Sequence, residues 1–345
     1  MIRFNSDYTE GAHEKVMQML METNMEQTGG YGIDPYCEKA RTLIQEKCKR
    51  NDVDVHFLVG GTQTNTTVIA SILKPYEGVL SADTGHINVH ETGAIEATGH
   101  KVLALPSVDG KITAAMIDAY YQLHIQDESY EHTVKPGMVY ISISTELGTM
   151  YTLNELKDIY EVCKKNDLRL FVDGARLGYG LMAKDCDITL PDLANHCDVF
   201  YIGGTKVGAL FGEAVVITHN TVKKDFRYMI KQRGGMLAKG RLLGIQFIAL
   251  LEDDLYFKIA KHADMMADKI RETLAKHKIP MLVENNTNQI FPIMPDEVLE
   301  QLKNEFSFSY QERIDETHSA IRFCTSWATK EENVDFLCKR LDELM

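Results

Sequence analysis

No two of the seven cysteines, Cys37, Cys48, Cys163, Cys186, Cys197, Cys324 and Cys338, stand in C-x-x-C spacing, and an odd number completes no disulfide framework. Such usage reads as reduced thiols in a cytoplasmic setting, with no cysteine placed as a nucleophile or metal ligand. No uncharged apolar run approaches ~18 residues, and the opening MIRFNSDYTEGAHEKV holds no apolar export core, so neither a membrane span nor secretion is expected. The 37 Lys and Arg are outnumbered by 50 Asp and Glu, for a formal net charge of −13, and form no sustained basic block. That balance argues against nucleic acid and anionic membranes as partners. G-x-G-x-x-G, G-x-x-x-x-G-K-[ST] and H-E-x-x-H are missing, which lowers the dinucleotide and nucleoside triphosphate readings and leaves no metal site. Internal repeats, low-complexity segments and Pro/Gly-rich linkers are absent too.

What is present is an alternation of strand and helix patterns. Apolar runs at 53–59, 78–81, 101–105, 137–143, 169–172, 199–202 and 214–217 are mostly separated by helical stretches such as 111–126 and 153–166. Ahead of them, 13–24 reads as a short helix, and Asp34-Pro35 supplies an N-cap and first-turn pair for a helix running toward Arg50. The pattern predicts an α/β fold with a mainly parallel sheet covered by helices. Beyond a long helical region at 239–277, apolar runs at 281–283, 290–294 and 321–324 alternate with helices at 295–304 and 331–344, predicting a small α+β unit. The length suits two domains, 1–250 and 251–345, with the N-terminal segment able to join the smaller one.

Lys206 lies in FYIGGTKVGALFG, a lysine inside an apolar, glycine-rich stretch. Burying an ammonium without a partner costs several kcal/mol or more, so such a lysine either snorkels to water or is held for chemistry. Asp173 ends the run LRLFV and precedes Gly174, at the carboxyl edge where open α/β sheets bind ligands. Alone it also reads as a strand-end turn or helix N-cap. The pair at consecutive strand ends is what pyridoxal phosphate chemistry requires: a lysine to form a Schiff base and a carboxylate to keep the pyridine nitrogen protonated.

FVDGARLGYG, FYIGGTKVG and FLVGGTQTN at 57–65 resemble the threonine aldolase branch of the β-eliminating lyases, in the aspartate aminotransferase-type fold (fold type I). The likeness runs from Asn5-Ser6-Asp7 to Ile321-Arg322-Phe323. It implies pyridoxal 5'-phosphate as cofactor, an amino acid as substrate, and a homo-oligomer, by resemblance a tetramer with sites at the dimer interface. Gly61 and Thr62 open a helix whose N–H groups could hold the phosphate, or form an ordinary strand-to-helix turn; Thr205 is a second phosphate contact by resemblance. His86 matches the residue that lies flat on the cofactor ring; the competing readings are a solvated histidine or, with His90, half of a metal site. Arg176 and Arg322 resemble the two arginines that receive the substrate carboxylate, with Ser6 as a further contact, although Arg322 could equally alternate out of a strand to solvent. Lys231 and Arg233 resemble a basic segment that reaches a neighbouring subunit's phosphate, and an exposed helix end is the alternative. Glu91 is expected to orient the His86 segment.

In Ser144-Thr145-Glu146-Leu147-Gly148 the chain departs from many threonine aldolases: Glu146 stands where they carry a histidine proposed to handle the β-hydroxyl proton. It could accept that proton if burial raises its pKa, or be structural. The implied activity is cleavage of L-β-hydroxy-α-amino acids to glycine and an aldehyde, with His86, Glu146 or a water between them as base. β-Elimination, racemisation, a catalytically silent cofactor-binding protein and a small-molecule domain without cofactor are the other readings.

Overall fold

Asp34 caps the helix Pro35–Cys48 as its spacing predicts, its carboxylate accepting the Cys37 N–H at 2.9 Å with Pro35 in the first turn. The computed structural model describes all 345 residues. Its seven-stranded sheet runs in the order Asp54–Leu58, Glu213–Ile217, Val199–Gly203, Arg169–Asp173, Lys135–Ser142, Glu77–Ala82, Val102–Leu105. Glu213–Ile217 is antiparallel to both neighbours, and the other neighbouring pairs are parallel. Alternate side chains feed two separate cores. Val139, Ile141, Val172, Phe200 and Ile202 join one cluster, while Met138, Tyr140, Phe171, Val199 and Tyr201 join the other. That period of two, with both faces buried, explains why these strands read as continuous apolar runs. The α/β reading with a mainly parallel sheet is therefore what the chain adopts.

A second, antiparallel sheet joins Ile293–Pro295, His318–Cys324 and Ser309–Arg313, with Gln289–Ile290 also paired to His318–Cys324. Ile2–Arg3 pairs in parallel with Phe306–Ser307, which brings Phe4 into the third core cluster. Two-residue strands carry no readable periodicity, and Ser309–Arg313 is exposed along most of its length, so neither gives an apolar sequence signal. The predicted strand at 281–283 is only a single bridge from Met281 to Pro292. The helical region at 239–277 is two helices, Arg241–Leu251 and Leu255–Lys276, broken where Asp253 and Asp254 take φ of 54° and 56°. Aspartate tolerates that left-handed geometry better than most residues, and the chain turns there. Leu255–Lys276 then serves two cores: Tyr256, Ala260 and Ala263 pack in the first cluster, Met266, Ala267, Ile270 and Leu274 in the third.

On that helix Asp264 is buried with neither carboxylate oxygen hydrogen-bonded, and burial pushes its pKa well above the ordinary range despite Arg271. A raised folded-state pKa contributes most stability below the unfolded pKa and loses it as pH rises. The stability gain of Asp264→Asn over the parent is thus expected to grow from about zero near pH 4 to about 2–4 °C in melting temperature by pH 8. Melting curves at several pH values check this; a pH-independent difference would contradict the burial argument.

Candidate active site

The DGAR and GGTK segments are locked together by close backbone contact. A Cβ on Gly174 would lie 1.7 Å from the Tyr201 carbonyl oxygen, and one on Gly203 would lie 2.5 Å from that of Ala175. Only glycine lets the two strand ends approach so closely, which fixes Asp173 and Lys206 relative to each other. The Lys206 carbonyl is further held by the Tyr179 hydroxyl at 2.5 Å. Burial and the nearby Arg176 pull the Lys206 ammonium below the usual lysine range, against the opposing fields of Asp7, Asp173 and Glu213.

Asp173 sits at the end of its strand as an acceptor with four donors. Its Oδ1 takes the Tyr201 hydroxyl at 2.5 Å and the Ala175 N–H at 2.9 Å; its Oδ2 takes the Tyr140 hydroxyl at 2.6 Å and Asn65 Nδ2 at 3.2 Å. Four neutral donors stabilise the carboxylate without cancelling its charge. Asn65 also donates to Glu91 Oε1 at 2.8 Å, and the same oxygen lies 2.9 Å from His86 Nδ1. A continuous chain therefore runs from His86 through Glu91 and Asn65 to Asp173, and Glu91 orients His86. Glu146 accepts the His86 N–H at 2.9 Å and the Ser142 hydroxyl at 2.8 Å on one oxygen. Burial raises its pKa more than those bonds lower it.

Arg176 is placed differently from a free carboxylate fork. Its Nε and Nη2 donate to Asp7 at 2.7 and 3.0 Å, and Asn288 adds a third donor to Asp7 at 3.0 Å. Burial pushes the Asp7 carboxyl up, and Arg176, Lys206 and Asn288 more than reverse that, leaving it below the ordinary range. Arg322 donates through Nη1 to Gln289 and through Nη2 to the Asn5 carbonyl, both at 3.0 Å, while its Nε is buried and unpartnered, as is Ser6 Oγ. Rather than alternating out to solvent, its guanidinium turns inward. Thr205 donates to Glu213 at 2.7 Å and accepts the Gly212 N–H at 3.0 Å. Gly61 begins the helix Gly61–Ile72, whose N-cap Gly60 offers no side chain to the first-turn N–H groups.

Lys206, Asp173, His86, Glu146, Arg176, Thr205, Gly61 and Thr62, eight of the thirteen residues picked from the sequence, line one cleft of about 300 Å³. Ser6, Arg322, Arg233, Lys231 and Glu91 are outside its lining. Arg233 instead lies behind the glycine turn, its carbonyl accepting Gln63 Nε2 at 3.3 Å and its Nε buried without a partner.

A family model described as β-eliminating lyase matches residues 3–297. The chain belongs to that family. Among its members, the low specificity L-threonine aldolase of Pseudomonas sp. (strain NCIMB 10558) is 30% identical over 346 residues, spanning 99% of this chain and 98% of that one. The solved threonine aldolase of Leishmania major is 43% identical with a TM-score of 0.97, covering 100% of this chain and 99% of that one. An aspartate aminotransferase of Thermus thermophilus, 12% identical with a TM-score of 0.73 over 100% of this chain and 92% of its own, shares the fold. Family and fold are those the motifs implied.

This β-eliminating lyase also gathers groups that sequence reasoning passed over: Asn65, Tyr140, Tyr201, Asp7 and Glu213. Asn65 ends the quoted GGTQTN motif, and Asp7 stands in Asn5-Ser6-Asp7, so both had a local signal. The tyrosines lie mid-strand, where alternation tells which face they take but not which carboxylate they meet. No group of three or more His, Cys, Asp or Glu side chains is arranged to hold a metal ion. No helix is long and apolar enough to cross a membrane.

Proposed function

We propose that the protein cleaves L-β-hydroxy-α-amino acids of the threonine, allo-threonine or phenylserine type to glycine and an aldehyde, with pyridoxal 5'-phosphate as its cofactor. The observation that carries this is the cleft in which Lys206 faces a carboxylate, Asp173, braced by four donors. The donor set fits the cofactor: an amine of lowered pKa, a fixed anion, and an uncapped helix N-terminus for phosphate. The cofactor, when bound, supplies an electron sink for a bond broken at the amino acid α-carbon.

The chain's own residues do the rest. Lys206, held below the usual lysine range, presents more neutral amine at pH 7 than a solvated lysine. Asp173 would supply the negative charge that keeps the cofactor's pyridine nitrogen protonated. Ser6 Oγ and Arg322 Nε, both buried and unpartnered, are open donors for the substrate carboxylate, and Arg176 retains Nη1 for it once Asp7 has taken its other two groups. Glu91 holds the ring of His86, which lines the cleft, through Nδ1.

Cα–Cβ cleavage requires the β-hydroxyl to lose a proton, and Glu146, with a raised pKa, is a base matched to that proton. A base must be ionised to act, so activity rises with pH through the raised Glu146 pKa. Glu146→Gln is expected to slow aldehyde release about 100-fold and to flatten that acid limb, with cofactor affinity kept. Full activity in the variant makes Glu146 a bystander. Glycine and aldehyde from L-threonine, allo-threonine and phenylserine, measured against ammonia and pyruvate from serine, test the reaction itself; pyruvate as the main product overturns it.

Assembly as a cytoplasmic homo-oligomer belongs to the same reading. The exposed Met21, Met25, Tyr31, Ile33 and Tyr228 lie on segments tied together by Arg241 to the Asn24 and Glu26 carbonyls and by Arg227 to that of Tyr31, an apolar surface that suits a second copy. Arg233, on the same stretch, then serves a neighbouring copy's phosphate. All seven cysteines are free, which suits a reducing compartment.

A further inference from the structure

Asn65 stands on the helix Gly61–Ile72, fully buried, and lines the same cleft as Lys206. One nitrogen serves two acids. Its Nδ2 donates to Glu91 Oε1 at 2.8 Å and to Asp173 Oδ2 at 3.2 Å, and since a primary amide carries two N–H groups, each carboxylate takes one. The other end of the amide has nothing: Oδ1 is buried and unpartnered. Turning the amide over would set its oxygen against both anions and give up two charge-assisted bonds, so the two acids decide which way Asn65 points. A buried orphan oxygen costs stability, and an apolar side chain of the same shape would carry none. What the amide gains from its place is the contact to both carboxylates.

The two acids differ in how much they depend on it. Asp173 has three other donors, in Tyr201, Tyr140 and the Ala175 N–H, whereas the only other partner of Glu91 is His86. The Glu91 side chain is wholly enclosed, and its Oε2 is buried without a partner. Because a carboxylate only accepts, the proton between Glu91 and His86 is carried by Nδ1. His86 is therefore held at second hand, with Asn65 fixing Glu91 and Glu91 fixing the ring. Two like charges drawn onto one nitrogen repel each other, and the positive edge of the amide is what lies between them.

We propose that Asn65 is a positioning residue that holds His86 and Asp173 in one frame, so that a change at either is felt at the other through a single amide. The idea rests on the reading of the cleft as a pyridoxal phosphate site, where Asp173 would meet the ring nitrogen and, by resemblance, His86 the ring face.

A double-mutant cycle measures such coupling. The cofactor is stripped from full-length protein and its dissociation constant is measured on reloading, for His86→Phe, Asp173→Asn and the two together, first in the parent and then in Asn65→Leu. In the parent, the effect of the pair is expected to differ from the product of the single effects by about fivefold or more. With Asn65→Leu the effects should multiply to within about twofold. Coupling of the same size in both backgrounds overturns the proposal, and so does none in either. Cofactor-free protein gives a second readout that a merely structural role leaves alone: the proton NMR signal of the hydrogen-bonded His86 Nδ1–H, identified by its loss in His86→Phe. It is expected in the parent and absent in Asn65→Leu, and its persistence there overturns the proposal. Asn65→Ser, which offers one donor in place of two, takes over both measurements if the leucine variant does not fold. A parent that binds no cofactor overturns the reading of the cleft, while the Nδ1–H signal still decides whether Asn65 holds His86.

Discussion

Lys206→Ala is expected to lower aldehyde release by on the order of 10⁴- to 10⁶-fold, the loss seen when a covalent nucleophile is removed from a site that otherwise stays intact. Lys206 is only half-buried and its carbonyl remains in place for Tyr179, so the fold around it survives truncation. Two measurements separate loss of chemistry from loss of structure. Melting temperature should stay within about 2 °C of the parent, and the visible absorbance of the lysine-bound cofactor should vanish. A small amine added in solution should restore part of the rate, because it supplies the missing nitrogen to a cleft that is still formed. Unchanged turnover and unchanged absorbance would remove the central claim about the site.

Asp173→Asn is the second large effect, about 10³-fold in kcat with KM within about threefold. Asparagine matches aspartate in shape and can still take hydrogen bonds on its oxygen. What it lacks is the charge, together with one of the two oxygens on which Tyr201, Ala175, Tyr140 and Asn65 converge. Burial, the largest cause of the raised Tyr140 and Tyr201 pKa values, persists when the Asp173 charge is gone, so neither hydroxyl gives up its proton to replace the missing anion. The deficit therefore falls on transition-state stabilisation rather than on ground-state affinity. A loss below about tenfold would show that Asp173 serves the strand-end turn and not the chemistry.

Much of this arrangement was legible because its causes are local. Asp34-Pro35 caps a helix whatever surrounds it, and Asp-Gly or Gly-Gly-Thr after an apolar run marks a strand end where backbones meet. Those signals were enough for the sheet and for Lys206 and Asp173, while His86, Glu146, Arg176 and Thr205 came from the family resemblance that those motifs carry. What stayed hidden depends on contacts distant in sequence. Arg176 reads as an open fork until Asp7, 169 positions away, is seen to occupy two of its donors. Glu213 looks like the polar start of a strand, and only the enclosure of that strand between Val199–Gly203 and Asp54–Leu58 turns it into a buried acid. The break at Asp253 and Asp254 was missed for the opposite reason, since apolar periodicity resumes on both sides and hides a change of direction.

The helix Leu255–Lys276 belongs to two cores at once, and its 22 residues form one rod. The segment carrying Arg322 packs around the far half of that rod, and the sheet carrying Lys206 and Asp173 packs on the near half. These two bodies share a spine, so one cannot loosen without straining the other. Melting of the smaller core would pull on the larger, which favours a single cooperative unfolding transition over stepwise loss.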